Sequence, residues 1–287
     1  MSTPLHPKTA EQLQHFLVSP AHAILLVGPA GIGKGSLATA LTKQLLDLDE
    51  HALGSYQYLT RLEAKGDSIS IETVRDLQHF LQLRTIGDRP IRRVAIIEYA
   101  DRMTTEAQNA LLKMLEEPPA DTVLVLTANN THALLATILS RLQRITVREP
   151  LEAELRAYFA KTHDSKAIDQ AYFLSGGLPG LMQALLEGTA DHPLFMAVGQ
   201  AKALLQQPTF DRLVAVDALS KKKDDVVHVL YALLRIAQTG MVQAGKRGDQ
   251  ARVKRWYQIV TAVHATLETL AVHGNTKLAL TNLMLSM

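Results

Sequence analysis

The chain has 287 residues, enough for two or three domains at roughly 150 residues each. Apolar residues make up 47% and aromatics 5%, which excludes a disordered chain and favours helices and buried parallel strands filled with Leu, Ala, Val and Ile over a β-sandwich. The formal net charge of +2 does not announce a nucleic-acid binder, although from Pro208 to the end there are 11 Lys and Arg against 6 Asp and Glu, so the basic excess lies in the C-terminal third.

The opening MSTPLHPKTAEQLQHFL has no basic region leading into an apolar stretch with a cleavage site. No run approaches the ~18 apolar residues of a membrane span. A soluble cytoplasmic protein with no membrane partner is the expectation. Thr9 to Leu17 reads as a short amphipathic helix. Ala23 to Val27 is short, apolar and stopped by Gly-Pro, as suits a strand buried on both faces. From Gly33 to Leu48 the apolar residues recur at helical spacing. SISIETVRDLQHFLQL alternates first and then turns helical, with Val74, Leu77, Leu81 and Leu83 as its apolar stripe. Val94 to Ile97 is a second buried strand, TTEAQNALLKMLEE a helix stopped by Pro118 and Pro119, and Val123 to Thr127 a third buried strand. Strands alternating with helices predict a parallel α/β sheet. Ligands bind such sheets at the C-terminal strand ends, and Gly28, Glu98 and Asn129 fall just past them.

Pro150 marks a boundary. Short helices broken by SGGLPG fill Leu151 to about Gly188. The chain is helical from about Pro193 onward, with turns near Lys221–Lys223, Gly245–Gly248 and Gly274–Asn275. The expected organisation is an α/β domain over 1–149, a small helical domain over 150–190 and a helical domain over 191–287.

Gly28-Pro29-Ala30-Gly31-Ile32-Gly33-Lys34 fits G-x-x-x-x-G-K. Such a loop turns backbone N–H groups inward to form an anion nest, the helix dipole adds to it, and Lys34 would reach the outer phosphates. Residue 35 is Gly, where a Ser or Thr hydroxyl would bind Mg²⁺. Ser36 is close by, but one helical step turns a side chain by about 100°. ATPases of this layout end the second strand with Asp-Glu, for metal and for water activation; here the pair is Glu98-Tyr99. The longer arm of Glu98 leaves Mg²⁺ binding with the nucleotide open. Tyr99 is no carboxylate base, because a phenol titrates near 10. With no cysteine, and with 11 histidines at no ligand-like spacing, no protein-bound metal site is expected.

AHAILLVGPAGIGK, IIEYADRMT, NALLKMLEEPP and TILSRLQ together resemble the bacterial AAA+ sliding-clamp loader subunits, most nearly the delta-prime family of DNA polymerase III. SISIETVRDLQHFLQL and the closing NTKLALTNLML add to the likeness, which is firm to about residue 190 and thinner beyond. The resemblance implies an AAA+ P-loop domain, a helical lid and an all-α collar that assembles a heteropentamer with gamma/tau and delta subunits. It also implies a task, the ATP-driven placing of a ring-shaped clamp on primer-template DNA. Ser140-Arg141-Leu142 stands where the family has Ser-Arg-Cys, so Arg141 resembles an arginine finger offered in trans to a neighbour's ATP. Asn129 falls at the position that senses the γ-phosphate in active members; a turn-forming Asn beside Asn130 is the plain alternative.

Departures from the family weigh equally. Gly180 stands where active members carry a lid arginine, and no cysteines occur between Asp47 and Tyr58 for a zinc module. With Gly35, Glu98 and Tyr99, these predict a clamp-loader subunit that binds ATP or ADP weakly at Gly28–Ser36, Glu98 and Asn129 and hydrolyses it poorly or not at all. The alternatives are a hydrolysing gamma/tau-like motor and a stand-alone AAA+ ATPase. KRGDQARVKR, followed by Trp256 and Tyr257, could contact DNA; a solvated helix turn with Trp256 in a subunit interface is the favoured reading.

Overall fold

The computed structural model describes residues 4–63, 68–188, 193–221, 223–271 and 275–287. They form two compact units that meet in sequence after Leu151.

The first unit is a five-stranded sheet between helical layers. Its strands are β1 (Ala23–Val27), β2 (Leu59–Leu62), β3 (Arg93–Ile97), β4 (Thr122–Ala128) and β5 (Gln143–Thr146). They are parallel throughout, in the order β2-β3-β4-β1-β5. The three central strands are almost wholly buried, as parallel strands covered on both faces must be. On one face Leu25, Leu62, Ala95, Ile97, Leu124 and Leu126 form a core with α4 (Ile71–Gln82) and α5 (Thr105–Glu116). The other face is covered by α1 (Pro7–Val18) and α2 (Lys34–Leu46). Between them lie the short α3 (Glu50–Gly54) and α6 (Ala136–Leu139) and a 3-10 turn, Ala100–Arg102.

Three expected strands are thus present, each within one residue of its expected ends, and two further strands edge the sheet. Both edge strands are four residues long and partly exposed, so neither shows the continuous apolar run that marks β1, β3 and β4. Leu83 departs from its expected place on the α4 stripe. The helix stops at Gln82, Leu83 is extended, and its side chain is exposed. The cause is Arg93, which is buried, stacks on Phe80 with its guanidinium 5.4 Å from the ring centre, and donates to the carbonyls of Leu81 and Leu83. Side-chain donors satisfy the last carbonyls of a helix in this way, and the chain leaves the helix there.

The second unit is all helical: α7 (Glu152–Phe159), α8 (Ser165–Ser175), α9 (Pro179–Glu187), α10 (Pro193–Gln206), α11 (Thr209–Leu219), α12 (Lys223–Lys246), α13 (Gln250–Ala271) and α14 (Thr276–Ser286). Asp164 and Asn275 cap α8 and α14 by accepting from Ala167 N and Leu278 N, at 2.8 and 3.0 Å. The break at SGGLPG follows from Gly176, which ends α8 in the left-handed region at φ 63°. The helices expected over 150–190 and over 191–287 belong to one compact unit, with α8 packed on α12 and α10 on α9 and α12. The expected boundary at residues 190–191, and Lys222 and Gly274 of two expected turns, lie outside the described residues. Trp256 of α13 lies against Gly240 of α12; a methyl on Gly240 would come within 2.5 Å of the indole. Tyr257 beside it is exposed. Among the described residues no helix is long and apolar enough to cross a membrane.

Candidate nucleotide site

The expected site residues gather where the sheet geometry puts them. Gly28 follows β1, Glu98 follows β3 and Asn129 follows β4, and parallel neighbours bring all three to one end of the sheet. Gly28 leaves the strand by donating from its N to Ala128 O at 3.2 Å. Gly31 and Gly33 then take left-handed φ values of 84° and 91°, which only glycine adopts without strain. The loop runs through Pro29, Ala30 and Ile32, which is buried, into the N-terminus of α2 at Lys34.

Lys34 is folded into this loop. Its Nζ donates to Gly28 O at 2.7 Å, Pro29 O at 3.0 Å and Asn129 Oδ1 at 3.0 Å. All three acceptors are neutral, and among the described residues no carboxylate forms an ion pair with it. Burial therefore lowers its pKa to about 8, against the opposing pull of the Asp101 and Glu98 charges. Asp101 is a member of the site that sequence reasoning missed. Its Oδ2 accepts from Asn129 N at 3.1 Å, fixing the residue that meets Lys34, while its buried Oδ1 has no hydrogen-bond partner.

A glycine-shaped loop at the head of a helix, with an ammonium buried in it, is the kind of backbone that suits an anion. The residues present thus fit the phosphates of a nucleotide. They do not fit a divalent cation. Gly35 brings no hydroxyl, and a Cβ built on it would lie 3.4 and 3.5 Å from the two oxygens of Glu98. Position 35 thus lies in ordinary contact range of the carboxylate but brings no oxygen of its own to it. Glu98 is also ion-paired to Arg61 of β2. Arg61 is in register with Ile96, two residues before Glu98, so period-two alternation puts both side chains on one face of the sheet. That is the face α2 covers, and Arg61 Nη2 donates to Thr39 Oγ1 of α2 at 2.6 Å. Ser36, also on α2, is exposed. Nothing in the pattern LTRL marks Arg61 as a site residue.

Tyr99 holds the position of the expected missing base. Its backbone is left-handed at φ 54°, its N donates to Thr127 Oγ1 at 3.1 Å, and the Arg102 guanidinium lies 5.0 Å from its ring centre. Burial, reinforced by the Glu98 charge, pushes its pKa up, so the phenol stays neutral. Arg141 makes its contacts away from the phosphate loop. At the end of α6 it donates to Thr137 O at 2.9 Å and, across an ion pair of 2.8 Å, to Glu116 of α5. Its guanidinium is partly exposed, whereas Leu142 beside it is buried. Gly180 lies in α9 of the helical unit.

The family described as "DNA polymerase III, delta subunit" matches residues 5–150. DNA polymerase III subunit delta' of Pseudomonas aeruginosa is 35% identical over an alignment of 208 positions that covers 65% of this chain and 62% of that one. The delta' subunit of Haemophilus influenzae is 30% identical over 147 positions, covering 46% of this chain and 44% of the relative. DNA polymerase III subunit gamma/tau of Mycobacterium tuberculosis is 28% identical over 230 positions, covering 69% of this chain and 39% of the relative. The chain thus spans between 39% and 62% of the length of these relatives. Because the family match takes in every strand of the sheet and the whole phosphate loop, the chain belongs to the delta' family of DNA polymerase III subunits.

Proposed function

We propose that this chain is the delta'-type member of a clamp loader. It joins gamma/tau and delta subunits in a complex that places a sliding clamp on primer-template DNA in the cytoplasm. It binds ATP or ADP weakly, does not turn it over at a motor's rate, and lends Arg141 to the ATP site of a neighbour. Residues 150–190 serve as its lid and 191–287 as its collar. The observation that carries this reading is the divided state of the site. Lys34 is buried in an intact glycine-shaped loop at the head of α2, which supports phosphate binding, while positions 35, 98 and 99 lack the hydroxyl, the free carboxylate and the base that hydrolysis needs. A subunit so equipped contributes through its neighbour's chemistry, and a partly exposed guanidinium is suited to that.

Turnover by the reconstituted loader, stimulated by clamp and DNA, tests the assignment of Arg141. An arginine supplied in trans is worth roughly 10³–10⁵ in rate, diluted in a ring with several active sites. Arg141→Ala should lower turnover of the assembled complex and leave nucleotide binding by the isolated chain unchanged. Arg141→Lys should fail too, because an ammonium lacks the planar fork. Unchanged turnover in both variants, with assembly intact by gel filtration, would make Arg141 an ordinary surface arginine.

A further inference from the structure

The carboxylate at the end of β3 is the group around which a metal-dependent phosphate site would be built, and in this chain its charge is already matched. Glu98 has a guanidinium as its partner, a half-buried one fastened from the other side to Thr39 of α2. Thr39 in turn donates to Gly35 O at 3.0 Å, so Arg61, Thr39, Gly35 and Glu98 form one connected cluster beside the loop. A divalent cation at such a place needs several oxygen ligands converging on one point. Here position 35 supplies no side-chain oxygen, and the Glu98 carboxylate beside it is already engaged by Arg61.

We propose that Arg61 takes the place of the divalent cation at this site, so that a nucleoside di- or triphosphate is held by the Gly28–Lys34 loop without Mg²⁺. This rests on the weak nucleotide binding proposed above. The physical requirement is charge. Polyphosphate brought near an unpaired carboxylate is repelled, and loops of this kind ordinarily use a metal to offset that repulsion. The Arg61–Glu98 pair removes it with a group of the chain itself. Arg61 arrives on an edge strand, from outside the motif residues, and it is anchored at both ends of its fork before any ligand is present.

The test is a titration of the full-length chain with a fluorescent ADP analogue, in EDTA and in excess Mg²⁺. Wild type should bind equally within about twofold in the two buffers. Arg61→Ala should lose about tenfold or more in EDTA, as expected when a neighbouring charge is left unpaired, and recover on adding Mg²⁺. Arg61→Lys, which keeps the charge, should hold its affinity in EDTA and so separates charge from folding. A wild type that loses tenfold in EDTA, or an Arg61→Ala chain indifferent to EDTA, overturns the proposal. Absence of binding by wild type in both buffers instead sinks the nucleotide reading. Mn²⁺ titrated alone into nucleotide-free protein then decides the role of Arg61. Mn²⁺ binding that depends on Glu98 should appear in Arg61→Ala and not in wild type; equal binding by the two overturns it.

Discussion

The loop side and the carboxylate side of this site handle positive charge in opposite ways. On the loop side, the Lys34 ammonium is buried among three neutral oxygens and titrates near 8. On the carboxylate side, Arg61 is half exposed and already matched to Glu98. One cation has carboxylates near it but no direct ion pair among the described residues, and the other is directly paired. On the proposed reading, an anion completes the loop side, while the carboxylate side gains nothing from a metal. The two halves of such a site are separate electrostatic problems, so one can change without the other.

The largest effect should come from removing the cation of the loop side. Hydrogen bonds to a charged group contribute about 1.5–3 kcal/mol each, so Lys34→Ala should weaken nucleotide binding by roughly 100-fold, as read by equilibrium titration. An affinity within threefold of wild type would show that the loop's backbone does the binding and that the contrast is false. A smaller effect should follow from pH. An anion favours the charged form of Lys34, so above its free pKa of about 8 binding must take up a proton. Affinity should then be flat from pH 6 to 7.5 and fall by up to about tenfold per unit above 8. In Lys34→Ala that fall should vanish. The smallest effect belongs to the other side. Restoring a hydroxyl by Gly35→Ser should change the response of binding to Mg²⁺ by less than about twofold, because Glu98 remains paired with Arg61. The double change Gly35→Ser with Arg61→Ala should respond to Mg²⁺ more strongly than Arg61→Ala alone. A strong Mg²⁺ response from Gly35→Ser alone would mean that the pair yields readily to a metal.

Legibility followed burial. The three central strands read as apolar runs because both faces are covered, and the G-x-x-x-x-G-K spacing placed Lys34 and its loop directly. Asn129 was legible as a strand-end residue, and it meets Lys34. The edge strands were not legible. LTRL and QRIT pair on one side only and keep polar residues facing out, so four residues carry neither a clean alternation nor an apolar run. Arg61 is a residue of one of these, which is why the partner of Glu98 could not be foreseen while Glu98 itself could. Leu83 was misplaced for a related reason. Its helical spacing was sound, but the helix was ended by a buried arginine ten residues downstream, a tertiary contact that no periodicity records.

Trp256 is the chain's one tryptophan, and its indole is pressed on the backbone of Gly240. It belongs to the helical unit. Its emission is therefore a local optical signal of whether α12 and α13 stay together, whereas far-ultraviolet dichroism sums the helices of both units. Melting followed by the two signals at once distinguishes two cases. Coincident curves mean that sheet and helices unfold as one cooperative body, and displaced curves mean that each has its own transition. The wild-type chain carries the label needed to tell them apart.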